Sequence, residues 1–194
     1  MANSSRVAAI ILAAGESKRF GSPKQLLNWR GRPLLRHVTL QALAAPVDEI
    51  IVVLGAYAER IAPVLRGLPV TLTINHAWPR GMSESVKLGL RAVRGDVDAA
   101  LFLLADQPGA TPALCQRLIR SHVATQALIV APRAGARPGN PVLFARDLFP
   151  QLMQTSGDQG GRTVMKAHPD RILWLETDAS ALADIDRPED VAKC

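Results

Sequence analysis

The stretch VAAIILAAGESKRFGSPK, residues 7–24, decides the fold class of this 194-residue chain. Its residues 7–12 are all apolar and partly β-branched, as in a strand that is buried on both faces. Small residues at positions 13–15 then form a turn that lets backbone N–H groups approach an anion closely. A hydroxyl and two positive charges complete the loop: Ser17, Arg19 and Lys24. This pattern predicts a phosphate-binding turn at the carboxyl end of a buried strand.

Strand-length apolar runs alternate with helical spacing along the whole chain. Strands are predicted at residues 7–12, 49–54, 70–75, 99–104, 127–131, 142–144 and 172–175. Helices are predicted at residues 34–44, 56–65, 83–93, 112–122 and 161–167, with a helical turn at 188–191. Ser83 and Thr111 are the predicted N-caps of their helices. The alternation predicts one α/β domain, residues 1–194, with a mostly parallel sheet in a three-layer α/β/α, Rossmann-like arrangement.

The net charge of +6 comes from 23 Lys and Arg against 17 Asp and Glu, and it is concentrated in the first forty residues. Aromatic residues are only 4% of the chain and no Lys/Arg run occurs, which argues against nucleic acid as the partner. A charge excess around a small-residue turn instead favours a small phosphate-bearing ligand. Arg30, Arg32 and Arg36 lie beyond the turn, and either extend the positive field or form an ordinary solvated face.

Composition sets the remaining limits on the class of protein. No apolar run reaches the roughly 18–20 residues that a membrane helix needs, and the polar start does not resemble a secretory signal. Cys115 and Cys194 form no CxxC pair, so neither a disulfide framework nor a zinc site is predicted. These features predict a cytoplasmic protein without a membrane partner.

Two acidic positions are candidate metal ligands. Asp106 follows the apolar run 99–104, where a carboxylate either binds Mg²⁺ or caps the turn before Pro108. Asp184 and Asp186 are alternate residues, which share one side of an extended segment. One of them is a candidate second ligand, while Asp186 is alternatively the N-cap of the last helical turn.

Three further segments are candidate contacts for substrates. Gly81, Ser83 and Ser85 lie at a helix start, which can hold an anion or the edge of a base, although Ser83 also suits plain capping. Residues 138–141 form a predicted fixed turn. Residues 157–162 form a glycine-rich loop that we expect to move when substrate binds.

Together these motifs resemble the molybdenum cofactor nucleotidyltransferases, in order and over nearly the whole chain. The segments are LAAGESKRFGSPKQLL (12–27), GMSESVKLGL (81–90), LLADQP (103–108), RPGNPVLF (137–144), GDQGGR (157–162) and DIDRPED (184–190). The family signature LAAGxSxRxGxxK is complete, and the likeness is greatest to the CTP:molybdopterin cytidylyltransferases. Relatives that transfer guanylyl usually have LAGG at the turn. The resemblance implies a nucleotide-diphospho-sugar transferase-like fold.

The resemblance also implies roles for individual residues. The implied nucleotide-binding residues are Leu12, Ala13, Ala14, Gly15, Ser17, Arg19, Lys24, Gly81, Ser85 and Asp106. Arg19 and Lys24 would bind the triphosphate, and these two with Asp106 would be the catalytic residues. Asp106 would hold Mg²⁺, with Asp186 or Asp184 as its second carboxylate. Residues 138–141 would face the pterin.

The implied reaction transfers CMP from CTP to the terminal phosphate of molybdopterin and releases pyrophosphate. The implied partners are CTP and molybdopterin, with a molybdoenzyme or its maturation chaperone as a further candidate. Some relatives with the same turn are NADPH-dependent oxidoreductases acting on pigment-like aromatic substrates, and a non-catalytic carrier of the cofactor is a third alternative. The aspartates favour the transferase, because nucleotidyl transfer needs metal ligands and hydride transfer does not.

Overall fold

Strands and helices alternate along the chain, as the sequence predicts. A computed structural model describes residues 5–192. Within that span the strands are β1 (Val7–Ala13), β2 (Asn28–Trp29), β3 (Arg32–Pro33), β4 (Glu49–Leu54), β5 (Thr71–Ile74), β6 (Ala99–Leu104), β7 (Ile129–Ala134), β8 (Arg137–Pro138), β9 (Val142–Ala145) and β10 (Ile172–Glu176). The α-helices are α1 (Leu34–Leu43), α2 (Ala58–Ile61), α3 (Met82–Ala92), α4 (Pro112–Thr125), α5 (Phe149–Leu152) and α6 (Gly161–Ala167).

The main sheet has the strand order β10-β7-β9-β6-β1-β4-β5, and β8 pairs with β7 beside this path. β1 lies at the centre, parallel to β4 and to β6. The antiparallel members are β9, between β6 and β7, and the short β8. The predicted mostly parallel sheet is therefore confirmed, and the carboxyl ends of β1, β4 and β6 lie together at one edge.

Helices cover both faces of the sheet, so the predicted three-layer α/β/α arrangement is confirmed. Alternate residues of β1 point to opposite faces, as in any strand. Ala9 and Ile11 contact a core that contains residues of α1, α2 and α4. Ala8 and Ile10 contact a second core with residues of α3, α5 and α6. The fully apolar β1 is thus explained by burial on both sides.

Two predictions about helix ends are wrong. The helix predicted at residues 56–65 stops at Ile61, and a 3₁₀ segment, Ala62–Leu65, follows, because Pro63 has no N–H to donate within an α-helix. Ser83 does not cap α3: Gly81 occupies the N-cap at φ 110°, and Ser83 instead donates to the carbonyl of Gly157. The cap predicted at Thr111 is confirmed, since its hydroxyl accepts from Leu114 N at 3.2 Å.

The remaining findings concern three short elements, the two cysteines and the length of the helices. The β2–β3 hairpin, α5 and β8 were not predicted from the sequence, because each is too short to show a hydrophobic period. Cys115 is a buried free thiol, whereas Cys194 lies outside the described residues. None of the helices within residues 5–192 has the length and apolar character required to cross a membrane.

Candidate active site

A cleft of about 520 Å³ opens at the carboxyl ends of β1 and β6, a size within the usual range of small-molecule sites. It holds nine of the ten residues predicted to bind nucleotide: Leu12, Ala13, Ala14, Gly15, Ser17, Lys24, Gly81, Ser85 and Asp106. The tenth, Arg19, lies outside its lining, with a side chain that is 74% exposed. Residues that the sequence did not single out also line the cleft, among them Gln25, Trp78 and Met82.

The buried Gln25 side chain stabilises the loop after β1 through hydrogen bonds to its backbone. The Gln25 amide donates to the carbonyls of Ala13 and Gly15, at 3.0 and 2.9 Å. Gln25 is only 2% exposed, so its polar side chain belongs to the interior of the loop. A glutamine between a basic loop and two leucines is the signal that would have identified it, since a buried amide needs hydrogen-bond partners.

Ser17 serves this loop as well as lining the cleft. Its hydroxyl donates to Gln25 Oε1 at 3.4 Å and accepts from the backbone N of Lys24 at 3.3 Å. Ser17 itself has a positive φ of 60°, in the left-handed region that non-glycine residues rarely adopt. The hydroxyl predicted to meet the ligand therefore also fixes the backbone that carries Lys24.

The Lys24 ammonium lies between two carboxylates at the centre of the site. Its Nζ is 2.5 Å from Asp106 Oδ2 and 3.0 Å from Asp186 Oδ1. The Lys24 and Asp106 side chains are mostly buried, at 17% and 19% exposure. Arg19 approaches the other oxygen of Asp186 at 3.3 Å. Residues that are up to 167 positions apart in the sequence thus converge on one point of the cleft.

The structure separates the two C-terminal aspartates. Ile185, fully buried, donates its backbone N–H to the carbonyl of Asp106 at 2.9 Å and so brings Asp186 to the site. Asp184 instead pairs with Arg137 at 3.4 Å. The segment is not a paired strand: the Asp190 carboxylate accepts from the N–H groups of residues 186 and 187 and turns the backbone there. The two aspartates therefore have different ion-pair partners, and Asp186 is the one that lies beside Lys24 and Asp106.

The charges around Lys24 favour its protonated form. Burial lowers the pKa of Lys24, but the nearby Asp106 and Asp186 carboxylates outweigh it and hold that pKa above the ordinary 10.5. The ammonium therefore stays charged at neutral pH. It provides a fixed positive charge at the end of the predicted phosphate-binding loop.

The donor set at this point suits a divalent ion that is shared with phosphate. Mg²⁺ is usually bound by one or two carboxylates together with waters and substrate phosphates. Asp106 and Asp186 already converge on a single cation, the Lys24 ammonium. No group of three or more His, Cys, Asp or Glu side chains suited to a metal occurs within residues 5–192, so a cage made of protein alone is not described.

The opposite wall of the cleft comes from the start of α3. Asn75, 4% exposed, donates to Ser85 Oγ at 2.9 Å and so fixes the orientation of that hydroxyl. Gly81 lies against the 157–158 loop: a Cβ there would be 2.5 Å from the carbonyl carbon of Gly157. Ser83 ties the same loop to α3 through its 2.7 Å bond to Gly157 O. The 157–162 loop is thus anchored at its first residue.

A smaller cavity of about 150 Å³ adjoins the cleft on the side of β6 and β9. The two share Leu12, Met82, Leu104 and Asp158. Apolar side chains such as Phe102 and Phe144 line most of the cavity, and Asn140 and Arg162 add polar groups. The two loops that the sequence predicts to contact a second substrate, residues 138–141 and 157–162, therefore both line one cavity beside this cleft.

The basic residues beyond the loop have separate surroundings. Arg36 donates to the carbonyls of Val64 and Arg66, so it ties α1 to the 3₁₀ segment. Arg30 lies over the Trp29 ring, 5.5 Å from its centroid. These contacts are structural, and neither residue lines the cleft.

Comparison with known proteins places this architecture in a family. A model of the MobA-like NTP transferase domain matches residues 9–172. The nicotine blue oxidoreductase of Paenarthrobacter nicotinovorans is 32% identical over 192 residues, covering 94% of this chain and 93% of that protein. The probable molybdenum cofactor guanylyltransferase of Bacillus cereus strain AH187 is 29% identical over 92 residues, 47% of this chain and 46% of that protein.

Solved structures agree with this assignment. The crystal structure of Rv0371c from Mycobacterium tuberculosis H37Rv superimposes with a TM-score of 0.87 at 26% identity, covering 98% of both chains. A manganese complex of the same protein superimposes with a TM-score of 0.84 at 25% identity, covering 97% of both. Since the family model spans residues 9–172 and the fold matches nearly end to end, the chain belongs to the MobA-like NTP transferase family.

Proposed function

We propose that this protein transfers CMP from CTP to the terminal phosphate of molybdopterin and forms a cytosine dinucleotide cofactor. The observation that carries the proposal is the convergence of Lys24, Asp106 and Asp186 beside the loop at residues 13–15. Small residues for close backbone approach, a buried ammonium and two carboxylates are what a nucleoside triphosphate with its metal requires.

The chain needs to supply positioning and charge rather than a nucleophile. The oxygen of the acceptor phosphate forms a bond to the α-phosphorus of CTP, and the bond from that phosphorus to the β-phosphate oxygen breaks. Because the acceptor phosphate is already ionised, no general base is needed. The Lys24 ammonium and, more loosely, the exposed Arg19 neutralise charge on the departing pyrophosphate.

Asp106 and Asp186 are the residues that would hold Mg²⁺. When bound, the ion would neutralise charge on the phosphate oxygens. The manganese complex of Rv0371c supports divalent metal use in a close structural relative. Around this position, Ile185 fixes Asp186 through its bond to the Asp106 carbonyl. Asn75 fixes Ser85, which lies where the base would be contacted.

Molybdopterin as acceptor has separate support. The cavity of about 150 Å³ beside the cleft offers apolar walls for a flat ring system, with Asn140 and Arg162 as polar partners. The molybdenum cofactor guanylyltransferase relative favours a pterin acceptor. CTP rather than GTP is favoured by the Ala13-Ala14-Gly15 turn, through its resemblance to the cytidylyltransferases.

A second candidate function is NADPH-dependent reduction of an aromatic pigment-like substrate. The nicotine blue oxidoreductase relative, which matches 94% of this chain, favours it. Both functions need a phosphate-binding loop, and the apolar cavity suits an aromatic substrate in either case. The carboxylate pair of Asp106 and Asp186 favours the transferase, because hydride transfer does not require two metal-binding carboxylates.

A nucleotide panel tests the proposal. CTP, GTP, ATP and UTP are each incubated with the protein, with and without molybdopterin and Mg²⁺, and pyrophosphate is measured. Release from CTP that depends on both additions supports the proposal, whereas preferred release from GTP overturns the base assignment. NADPH consumption without a divalent ion supports the oxidoreductase. Pterin binding without turnover of any nucleotide supports a carrier, and either outcome overturns the transferase.

A further inference from the structure

We propose that the Lys24 ammonium is a stand-in cation, held by Asp106 and Asp186 until a divalent metal takes its place and releases it to the triphosphate. The inference rests on the metal assignment of the proposed function and goes beyond it. It makes Lys24 a competitor of the metal in the free protein and a partner of the nucleotide in the complex.

The Lys24 ammonium is already paired with two carboxylates. Two of the three N–H donors of the ammonium face carboxylates, at 2.5 and 3.0 Å. The Lys24 and Asp106 side chains are less than one-fifth exposed, so water screens this pair weakly. A lysine bound in this way has little freedom to reach phosphate oxygens while it keeps both partners.

The carboxylates, for their part, need a cation. Two ionised carboxylates that contact the same point of the cleft repel each other unless a positive charge lies between them. Water reaches the Asp186 side chain, which is 41% exposed, and weakens this repulsion only in part. Lys24 supplies that charge in the structure, and a metal would supply it during the reaction. Both cations at the same two carboxylates would repel each other, so we infer that they exchange.

Arg19 does not fill the same role. Its side chain is 74% exposed and contacts only Asp186, at 3.3 Å. Solvent screens an ion pair of this kind and leaves it weak. Removal of Arg19 should therefore change metal affinity less than removal of Lys24.

Exchange of this kind couples the two ligands. A metal that frees Lys24 strengthens triphosphate binding, and by thermodynamic reciprocity the triphosphate strengthens metal binding. The free protein would then bind metal weakly and would bind nucleotide weakly without metal. The charges of the two carboxylates and the triphosphate would be fully neutralised only when metal and nucleotide are both bound.

The first test measures Mn²⁺ binding to the full-length protein without nucleotide, from the electron paramagnetic resonance signal of free Mn²⁺. Lys24→Met removes the stand-in cation and keeps a side chain of similar length. We expect its Mn²⁺ affinity to rise about tenfold over wild type, within the usual range of coupling between sites. Lys18→Met is the charge-matched control, since Lys18 lines the same cleft but pairs with Glu16. It should change the affinity much less.

Thermal unfolding of the same variants covers the case in which Lys24→Met folds poorly. Two unneutralised carboxylates should lower its melting temperature, and Mn²⁺ should raise that temperature more in Lys24→Met than in wild type. Equal or weaker Mn²⁺ binding by Lys24→Met, or an equal Mn²⁺ effect on melting, would overturn the inference.

The second test measures CTP binding by calorimetry in the presence of a chelator. Asp106→Asn removes the charge of the closer of the two Lys24 partners and leaves only the Asp186 ion pair, so metal-free CTP should bind more tightly than to wild type, although Mn²⁺ binding is lost. Asp184→Asn removes the same charge from the neighbouring segment, where Asp184 pairs with Arg137, and should not tighten CTP binding. Equal CTP affinities in the two variants would overturn the inference.

The same data separate this inference from the proposed function. If Mn²⁺ binds to wild type and Asp106→Asn abolishes that binding, the metal assignment holds, and only the behaviour of Lys24→Met decides the exchange. If Mn²⁺ binds to none of the proteins, with or without CTP, the metal assignment and the exchange both fail.

Discussion

At the scale of single residues, we expect Lys24 and Asp106 to be essential for the proposed activity. Both are mostly buried and contact each other at 2.5 Å at the centre of the cleft. Loss of one well-placed charge partner of this kind typically lowers the rate by about 10²–10³. Lys24→Ala and Asp106→Ala should therefore each reduce pyrophosphate release from CTP by at least that factor.

A remote aspartate provides the control for this pair of variants. Asp96 is 94% exposed and pairs with Arg146 far from the cleft, so Asp96→Ala should keep the wild-type rate. Retention of Mg²⁺-dependent turnover near the wild-type rate by Asp106→Ala would show that the metal assignment is wrong.

Gly15 is a position at which a substitution should affect ligand binding without lowering the stability of the fold. It does not have a positive φ, and a Cβ at this position would meet nothing within 4 Å. Gly15→Ala should therefore leave the free energy of unfolding unchanged or raise it by about 0.4–1 kcal/mol. We expect the same change to weaken nucleotide binding, because the new methyl group occupies the ligand side of the loop. Urea unfolding and a nucleotide titration measure the two effects; undiminished affinity would mean that the triphosphate does not approach here.

At the scale of elements, the end of β4 packs directly against the loop at residues 13–15. A Cβ on Gly55 would lie 2.7 Å from both the Cβ and the carbonyl oxygen of Ala14. Overpacking of this kind typically costs about 1–3 kcal/mol. Gly55→Ala should lower the free energy of unfolding by that amount and should also weaken nucleotide binding, since the loop must shift. Urea unfolding of Gly55→Ala beside Gly15→Ala checks this, and equal stabilities would show that the contact can relax without cost.

Long buried strands could be predicted from the sequence, whereas short elements could not. The strands at the centre of the sheet were predictable, because burial on both faces leaves an uninterrupted apolar run such as residues 7–12. The 3₁₀ segment after α2 and the β2–β3 hairpin were not, since short elements carry no hydrophobic period. Ser83 was misassigned because its partner, Gly157, lies 74 residues further along the chain.

The same distinction applies to the site. Lys24 and Asp106 follow predicted motifs, so their place at the sheet edge could be inferred. The separation of Asp184 from Asp186 depends on a turn held by Asp190 and on the burial of Ile185, and neither is visible in the spacing of the aspartates. Gln25 was overlooked because its partners are backbone carbonyls, which every sequence contains.

At the scale of the whole molecule, the excess charge is divided between function and structure. Lys24 and Arg19 converge on Asp186 at the cleft. Arg36 is used to join α1 to the 3₁₀ segment, and Arg30 covers Trp29. The positive charge of the first forty residues therefore includes Lys24 and Arg19 at the cleft, and Arg30 and Arg36 with local structural roles.

The stability of the whole fold should fall at alkaline pH because of Cys115. Burial in the core raises the pKa of this thiol from 9.0 to about 12. Between those values the unfolded chain loses the proton and the folded chain keeps it, so the contribution of the thiol is complete below pH 9 and is lost as the pH rises to about 12. The slope is at most about 1.4 kcal/mol per pH unit.

Cys115→Ala isolates this contribution from other groups that titrate in the same range. The difference in unfolding free energy between wild type and Cys115→Ala, measured by urea denaturation, should shrink as the pH is raised from neutral to strongly alkaline. A difference that stays constant over that range would show that the thiol does not remain protonated in the fold.

The proposed activity of the cleft is transfer of a nucleotidyl group from CTP to a pterin phosphate. Its most direct test is to follow the α-phosphate of CTP with a radiolabel during incubation with the protein, molybdopterin and Mg²⁺. We expect the label to move to the pterin product while unlabelled pyrophosphate is released, and we expect Lys24→Ala and Asp106→Ala to prevent this transfer. Label that stays on CTP with the wild-type protein while NADPH is consumed in a parallel reaction would contradict it.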